Sequence, residues 1–365
     1  MSKNPFRYGS VVSGTDFCGR DQKIKELTQF IESGQNVVLQ GERRIGKTSL
    51  VYETVRRMKK RRLLLVDLME VKTIEDVCTR ILRAIVQIEQ KSILKTLAHL
   101  RPTLSINPVT GDISVGLGAT QDLNAQSVAD ILKLVAVNHA RKPLMVFFDE
   151  FQDILKLDNS KELLALLRGE IQYQGDVPYV FAGSIRNHMD DIFNHPDSPF
   201  FKSAISLDVG PLSQQDFVEF LEMKFSAGKR LVEPDFMAEI FKLTYGVTGD
   251  VQQFCEALWS VSNEGVTIDS NLLGKALKLI FSREGKSYEI ILAGLTANYL
   301  NILKALSALG GLQATSAEFV SEAQVANGST VRKALTAMEA RKLVFKYEEN
   351  WRFTNPFFGL WLQQI

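Results

Sequence analysis

The stretch Gly41-Glu42-Arg43-Arg44-Ile45-Gly46-Lys47-Thr48 decides how the N-terminal half of this chain folds. It matches the pattern GxxxxGK[ST], in which a glycine-rich loop and the helix after it surround phosphate groups with backbone N–H groups. The apolar run 37–40 before it predicts a buried strand, and the spacing from Lys47 onward predicts a helix. The sequence therefore predicts a strand, a phosphate-binding loop and a helix in that order.

Each part of this loop has an expected task toward ATP or ADP. Lys47 would neutralise the β and γ phosphate oxygens, and Thr48 would hold Mg²⁺. An accidental glycine-rich turn is the alternative. The other residues expected to contact the nucleotide are Gly41, Glu42, Arg43, Arg44, Ile45, Gly46 and Ser49.

Two carboxylates, Asp149 and Glu150, directly follow the apolar run 144–148, which is the Walker B arrangement. We expect Asp149 to hold magnesium through water. Glu150 would orient and polarise the attacking water, because phosphoryl transfer depends on in-line positioning. The alternative is that the pair only caps the next element. Ser184 follows the next apolar run and is expected to touch the γ-phosphate or the water, unless it is simply a turn residue.

Five apolar runs separated by helical patterns predict a mainly parallel sheet with helices on both faces. They are 37–40, 63–68, 144–148, 179–182 and 205–209. Residues 1–211 are predicted to form this ATPase core. Two alternating stretches near 101–118 predict a β-hairpin inserted into it, around Thr110-Gly111-Asp112.

The rest of the chain divides into two further predicted units. Residues 212–285 show helical spacing and predict an all-helical unit with helix starts near Ser213, Asp250 and Asp269. Residues 286–365 predict three helices and two short strands, the order of a winged helix-turn-helix. Its third helix is expected over 329–342, with Ser329 as the N-cap.

The third helix of a winged helix enters the major groove of DNA. Candidate DNA contacts on it are Ser329, Thr330, Arg332, Lys333 and Thr336. Yet residues 283–365 carry only nine Lys or Arg against seven Asp or Glu, and the predicted wing tip Glu348-Glu349 would repel a phosphate backbone. Docking on a protein partner, or a purely structural role, therefore stays open beside binding of double-stranded DNA.

The composition limits the class of protein. The 365 residues are 45% hydrophobic and 23% charged, which suits packed cores, and the net charge of +1 indicates no overall field toward nucleic acid or membrane. Three widely spaced cysteines suggest neither a disulfide framework nor a zinc site. Without an apolar run of about 18 residues or an N-terminal apolar region, we expect a cytoplasmic protein with no membrane partner.

Two polar clusters leave their roles open. The basic run 56–62 falls at a predicted helix end, so a solvated helix end and a nucleic-acid patch are both compatible with it. His188 and His195 lie near Asp190, Asp191 and Asp197, in a segment that is typical of a loop. A metal site there has no ligand spacing to support it.

These motifs together resemble the AAA+/STAND class of P-loop ATPases, most closely the archaeal-type ATPase family, whose relatives include archaeal origin-recognition ATPases. The matching segments are Phe17-Cys18-Gly19-Arg20-Asp21, GERRIGKTSL, LMVFFDEFQ and FAGS. The resemblance implies an α/β fold, with an AAA+-like P-loop NTPase parallel sheet, a helical lid and a C-terminal winged helix-turn-helix domain. It also implies that Phe17, Gly19 and Arg20 pack near the adenine.

Two departures from the family pattern concern catalysis. Segment 198–204 lacks the arginine that relatives place before the fifth strand, leaving Lys202 or Arg186 as substitutes. Gln252 stands where origin-recognition relatives carry a cation. These departures favour a slow, Mg-dependent ATPase that acts as a switch controlling DNA binding or self-association. The alternative is a STAND-type signalling ATPase whose winged helix docks a protein partner.

Overall fold

The computed structural model describes residues 3–88, 102–106, 113–117, 125–184 and 186–365. Side chains are described for these residues except at 102–106, 113–117, 126, 186 and 187. The chain forms two compact units. One is Val11–Gly210, and the other combines Pro211–Ile365 with the N-terminal segment up to Ser10. The division into domains at 211 and 285 stays a prediction.

The first unit contains a five-stranded parallel sheet in the order β2-β5-β6-β1-β7. The predicted parallel sheet is thereby confirmed. Its strands are β1 (Val37–Gln40), β2 (Arg62–Asp67), β5 (Leu144–Asp149), β6 (Tyr179–Ala182) and β7 (Ile205–Asp208). Its helices are α1 (Asp21–Glu32), α2 (Lys47–Met58), α3 (Ile74–Ile88), α4 (Ala125–Arg141), α5 (Ser160–Tyr173) and α6 (Arg186–Phe193).

Helices cover both faces of the sheet, so its central strands are apolar throughout. Neighbouring residues on β5 show this, because Phe147 packs with Leu27 and Leu50 on one face whereas Phe148 packs with Phe181 on the other. Side chains alternate along a strand, so each face receives every second residue. The strands β3 (Pro102–Ile106) and β4 (Ile113–Leu117) pair antiparallel, and the turn predicted between them lies outside the described residues.

The strand order places β6 between β1 and β5. The carboxyl ends of parallel strands meet at one edge of a sheet, and ligands bind in the crevice outside that edge. The loop after β1, the carboxylates after β5 and Ser184 after β6 are therefore neighbours.

The second unit contains four helices that the sequence analysis assigned to a lid: α7 (Gln214–Ala227), α8 (Phe236–Leu243), α9 (Thr248–Val261) and α10 (Ser270–Ala293). Ser213 and Asp269 cap α7 and α10 with their side chains, as predicted. The prediction of an all-helical unit is wrong in one detail. The strands β8 (Leu231–Val232) and β9 (Thr267–Ile268) pair in parallel, and two residues are too few to leave an alternating pattern.

The same unit ends in the winged helix. It comprises α11 (Ala297–Leu309), α12 (Ala317–Glu322), α13 (Gly328–Ala340), the antiparallel strands β10 (Val344–Tyr347) and β11 (Asn350–Phe353), and α14 (Pro356–Leu362). The predicted N-cap of the third helix is wrong. Asn327 caps α13 by accepting the Thr330 N–H at 3.0 Å, because Asn is as strong an N-cap as Ser and Gly328 fits the first helical position.

The N-terminal segment joins this second unit through an aromatic cluster. The Phe6 side chain is 4% exposed, and its ring centroid lies 4.5 Å from that of Phe225 and 6.0 Å from Trp259. Lys224 Nζ donates to the Pro5 carbonyl at 3.0 Å. Within the described ranges, no helix is long and apolar enough to cross a membrane.

The tight packing around Trp259 generates a stability prediction. A Cβ atom added at Gly228 would lie 1.8 Å from the Trp259 ring, whereas one at Gly274 on α10 would meet nothing within 4 Å. We expect Gly228→Ala to lower the free energy of unfolding by about 1–3 kcal/mol. Gly274→Ala, the matched control, should raise it by about 0.5–1 kcal/mol because alanine favours the helix.

Tryptophan fluorescence during urea unfolding measures both variants. All three tryptophans, Trp259, Trp351 and Trp361, lie in the second unit, so the signal follows this unit alone. Equal stability of the two variants would contradict the packing described for Trp259.

Candidate active site

The loop after β1 takes a conformation suited to an anion. Arg44 and Gly46 have φ of 63° and 98°, in the left-handed region. Such residues occur in nests, where successive N–H groups surround an anion. α2 begins at Lys47 and no side chain caps its N-terminus, so its first N–H groups are available to a phosphate.

Gly41 is required at the start of this loop. A Cβ atom there would lie 2.6 Å from the Val209 carbonyl oxygen at the end of β7, and its φ of 153° disfavours other residues. The loop therefore approaches the neighbouring backbone more closely than any side chain allows.

Lys47 is a buried cation, with 7% of the residue exposed. Its Nζ donates to the carbonyl oxygens of Gly41 at 2.8 Å and Glu42 at 2.9 Å. Burial lowers the pKa of Lys47 to about 8, although the carboxylates of Glu150 and Asp149 act in the opposite direction. The ammonium thus lies at the base of the loop, close to both Walker B carboxylates.

Thr48 and Asp149 place two oxygen atoms side by side that could serve as metal ligands. The Thr48 hydroxyl donates to Asp149 Oδ2 at 2.6 Å. Burial raises the pKa of Asp149, and the Thr48 hydrogen bond opposes that change by favouring the ionised carboxylate. Hydroxyl and carboxylate oxygens are ligands that Mg²⁺ prefers, so the two residues fit the predicted metal.

Two hydrogen bonds hold the Glu150 carboxylate. Its Oε2 accepts from the Ser184 hydroxyl at 2.7 Å and from Gln152 Nε2 at 2.6 Å. Glu150 has a φ of 50° and precedes a 3₁₀ helix over Phe151–Lys156, so the chain turns sharply at the end of β5. Ser184, expected between the acidic groups, contacts this carboxylate.

The predicted adenine-side residues have other contacts in this structure. The Arg20 guanidinium donates to the Gly210 carbonyl at 2.8 Å and to the Ile45 carbonyl at 2.9 Å. Burial lowers the pKa of Arg20 to about 10. Phe17 packs at the edge of the core formed by α1 and α2, and Gly19 has a φ of 60°. Arg20 therefore ties the phosphate loop to the end of β7.

Ser49 and Glu53 bind the segment that follows the N-terminal residues. The Ser49 hydroxyl accepts the Val12 N–H at 3.1 Å, and Glu53 Oε2 accepts the Gly14 N–H at 2.9 Å. Glu53 is 1% exposed, and hydrogen bonds from Arg56 and Arg57 lower its pKa to about 2. Segment 11–14 is thus fastened along α2.

The basic run 56–62 is largely paired inside the protein. Arg56 and Arg57 both bond Glu53. Arg61 donates to the Leu144 carbonyl, and Arg62 donates to the Asn138 and Lys142 carbonyls. These contacts favour the helix-end interpretation of the run over a nucleic-acid patch.

Other sequence candidates lie apart from this group. Lys202 is exposed, with Nζ 5.2 Å from the Phe201 ring centroid, and the side chain of Arg186 lies outside the described part. No group of three His, Cys, Asp or Glu in the described residues could hold a metal. The segment with His188 is a helix, α6, rather than the expected loop, because it buries Met189 and Ile192.

Sequence reasoning missed Gln152 and Asp153. Both are 1% exposed, and both lie between the buried residues Phe151 and Ile154. The sequence signal that could have found them is the presence of two polar residues within an apolar stretch. The periodicity could not interpret them, since a 3₁₀ turn follows neither the helical nor the strand repeat.

Two known protein families match parts of this chain. Residues 16–180 match the family described as "AAA ATPase domain". The chain carries an AAA ATPase domain. The match includes the phosphate loop and both Walker B carboxylates and ends before Ser184. Residues 286–364 match the family described as "Probable winged helix domain".

Two solved structures share the fold of this chain. The Walker-type ATPase PABY2304 of Pyrococcus abyssi aligns with a TM-score of 0.66 and 18% identity, over 97% of this chain and 99% of its own. The Orc1 protein of Aeropyrum pernix, solved in complex with DNA, aligns with a TM-score of 0.53 and 12% identity, over 95% and 93% of the two chains. No curated protein matches the sequence significantly.

The buried Lys47 predicts how nucleotide affinity depends on pH. Its pKa of about 8 means that the unliganded protein loses the Lys47 proton as the pH rises through that value. ATP binding then requires proton uptake, so the affinity should fall above pH 8 by up to about tenfold per pH unit. Titration with a fluorescent ATP analogue between about pH 7 and 9.5 measures this.

Lys47→Arg is the control, because an arginine stays protonated throughout this range. The ATP affinity of Lys47→Arg should be independent of pH, even where it is weaker than that of the wild type. A wild-type affinity that does not change across the range would contradict the charge state assigned to Lys47.

Proposed function

We propose that this AAA ATPase binds ATP and hydrolyses it slowly, and that the nucleotide state controls binding of double-stranded DNA by the winged helix. The observation that carries the ATPase part is the Glu150 carboxylate, held by two donors at the edge where Lys47 and the Thr48–Asp149 pair also lie. This is the set of groups that phosphoryl transfer to water requires.

Each residue then has a defined task. Lys47 neutralises phosphate oxygens as charge moves onto them, and the N–H groups at the start of α2 hold the phosphate in place. Thr48 and Asp149 hold Mg²⁺, which supplies further positive charge when bound. Glu150 orients a water in line with the γ-phosphate through its carboxylate.

The sequence departures support a slow rate. An arginine finger contributes about 10³ to 10⁵ in rate where it operates. Segment 198–204 carries no arginine, and Gln252 replaces a cation at the start of α9. A slow ATPase keeps its nucleotide for long periods, which suits a switch better than a motor.

The assignment of Glu150 predicts a separation of binding from hydrolysis. Glu150→Gln keeps the shape of the side chain and removes its charge, so we expect ATP affinity within about twofold of the wild type. The hydrolysis rate should fall at least about 100-fold because the water is no longer polarised. Lys47→Ala should instead abolish or severely weaken binding. Hydrolysis at the wild-type rate by Glu150→Gln would contradict the assignment.

The second unit supports coupling between the lid and the winged helix. Gln253 on α9 donates to Glu284 on α10, and the same carboxylate accepts from Tyr288 and from Asn355, the N-cap of α14. Phe254 on α9 also packs against Phe357 on α14. These contacts join α9 to the winged helix, so the two should move together.

A cation stack makes a second connection in this unit. The Arg352 guanidinium on β11 lies 4.9 Å from the ring of Tyr245, which follows α8, and 4.4 Å from the ring of Tyr347 on β10. Such stacks stabilise by about 0.5–2 kcal/mol. A change in lid orientation would therefore carry the wing with it.

The face of α13 supports DNA as the partner. Arg332, Lys333 and Thr336 are exposed on it. Ser329 and Thr330 have a second task, because both hydroxyls donate to Asn327 Oδ1 at the helix cap. The A. pernix Orc1 protein, which shares the fold, was solved in complex with DNA.

A protein partner is the second candidate, as in a STAND-type signalling ATPase. The observation favouring it is the wing tip, where Glu348 and Glu349 form the turn between β10 and β11 and the Glu349 side chain is 84% exposed. Two carboxylates there repel a phosphate backbone and suit a basic protein surface. Self-association belongs to the first candidate, in which the nucleotide state controls DNA binding or assembly of subunits.

Charge reversal on α13 distinguishes the two candidates. Arg332→Glu with Lys333→Glu should weaken duplex DNA binding at least about tenfold and leave ATP affinity unchanged, since both residues would contact phosphate or base edges. Lys275→Glu with Lys278→Glu, on an exposed part of α10, changes the net charge equally and is the control.

The readouts are DNA affinity with ATP and with ADP, and the hydrolysis rate against increasing duplex DNA. The proposal expects affinity that depends on the nucleotide and a rate that saturates with DNA. Identical affinity in both nucleotides would refute coupling. A slow rate indifferent to DNA, with no effect of the charge reversal, would favour the protein partner.

A further inference from the structure

Gln152 lies beside the carboxylate that the proposed hydrolysis depends on. It is 1% exposed, and its Nε2 donates to Glu150 Oε2 at 2.6 Å and to Asp153 Oδ1 at 3.3 Å. Both neighbours are carboxylate oxygens, so the amide nitrogen rather than the amide oxygen must face them.

We propose that Gln152 is a positioning residue, which fixes the Glu150 carboxylate so that it can orient the attacking water. The inference rests on the proposed ATPase activity. Glu150 Oε2 accepts two hydrogen bonds from different parts of the chain, one from Ser184 after β6 and one from Gln152 after β5. Both donors reach Oε2, and in the proposal the other oxygen, Oε1, contacts the attacking water.

The amide oxygen of Gln152 shows that packing alone does not favour a glutamine at this position. Its Oε1 is buried and has no hydrogen-bond partner among the described residues. A buried carbonyl oxygen without a donor destabilises a fold, and an apolar side chain of the same shape would avoid that cost. What glutamine adds at this position is the Nε2 donor, and its shortest hydrogen bond is to Glu150.

The amide is also held against rotation. A Cβ atom at Gly183 would lie 2.2 Å from Gln152 Oε1 and 2.5 Å from Met189 Sδ, so Gln152 packs directly on the backbone before Ser184. On its other side, Asp153 Oδ2 accepts the Glu70 N–H at 2.7 Å and Lys156 Nζ at 2.8 Å. Gln152 therefore has a fixed orientation from which to hold Glu150.

Gln152→Met tests the proposal, because methionine has nearly the same length and shape and has no donor. We expect kcat to fall about 10-fold to 100-fold, as for other groups that orient a reacting residue. KM and ATP affinity should stay within about twofold. The melting temperature should not fall, because the change also removes the unpartnered oxygen.

A second buried glutamine provides the matched control. Gln174 is 8% exposed, accepts the Tyr179 hydroxyl at 2.7 Å and donates to the Leu132 carbonyl at 3.1 Å, without contacting a site residue. Gln174→Met should lower the melting temperature, measured by circular dichroism, and leave kcat unchanged. Gln152→Met should therefore lower kcat without lowering the melting temperature, and Gln174→Met should do the reverse.

A double variant tests whether Gln152 acts through Glu150. In single-turnover assays, Gln152→Met should add no further loss when Glu150 is already Gln, because the group that it positions is gone. A further loss in that background would overturn the proposal, since Gln152 would then act elsewhere. A kcat for Gln152→Met equal to that of an active wild type would overturn it as well.

Two remaining outcomes are distinguishable. If Gln152→Met does not fold, Gln152→Leu is used, which is also apolar, has no donor and should lose kcat similarly. If the wild type hydrolyses ATP no faster than Glu150→Gln, the proposed function fails and this inference fails with it. An active wild type with slow Gln152 variants supports both.

Discussion

The burial of the Lys47 ammonium beside two carboxylates is the constraint on which the rest of the first unit depends. A buried cation is costly unless it is paired and hydrogen-bonded. Here the carbonyls of Gly41 and Glu42 accept its protons, and Asp149 and Glu150 supply the opposite charge nearby. The left-handed loop residues and the parallel strand order bring these groups together at one edge of the sheet. The same charge makes the site attractive to a phosphate chain.

The two carboxylates near Lys47 are held by different neighbours. Asp149, the last residue of β5, accepts a hydrogen bond from Thr48 at the start of α2, so two oxygens that suit a cation lie together. Glu150 is held instead by Ser184 and Gln152, which belong to the two strand ends beside it. In the proposed function, metal binding and water orientation therefore belong to different elements, although the two carboxylates are adjacent in the chain.

A polar network connects helices of the second unit. Because Glu284 accepts hydrogen bonds from Gln253, Tyr288 and Asn355, α9 and the N-terminus of α14 share one polar network. The N-terminal residues join this unit through Phe6, and segment 11–14 is fastened along α2 in the first. The chain therefore passes between the units twice, near Ser10 and near Gly210. In the proposed function, the polar network within the second unit would make α9 and the winged helix move together.

The sequence by itself determined the parallel sheet, the phosphate loop, the Walker B pair and the winged helix order. Each of these leaves a local trace: an apolar run, a glycine at a position where no Cβ fits, or a carboxylate directly after a strand. The sequence also singled out Ser184, but only the tertiary structure decided that Ser184 bonds Glu150, because that contact joins residues 34 apart in the chain.

Contacts of this kind explain what sequence reasoning missed. Gln152 lies in a 3₁₀ turn, which has no sequence repeat. The cap of α13 was a choice between two equally suitable residues, and β8 and β9 are too short to show alternation. The carbonyl partners of Arg61 and Arg62 depended on which elements lay beside them, whereas the pairing of Arg56 and Arg57 with Glu53 lies within α2. Local patterns specify elements, whereas the partners of a buried polar group depend on how distant elements pack.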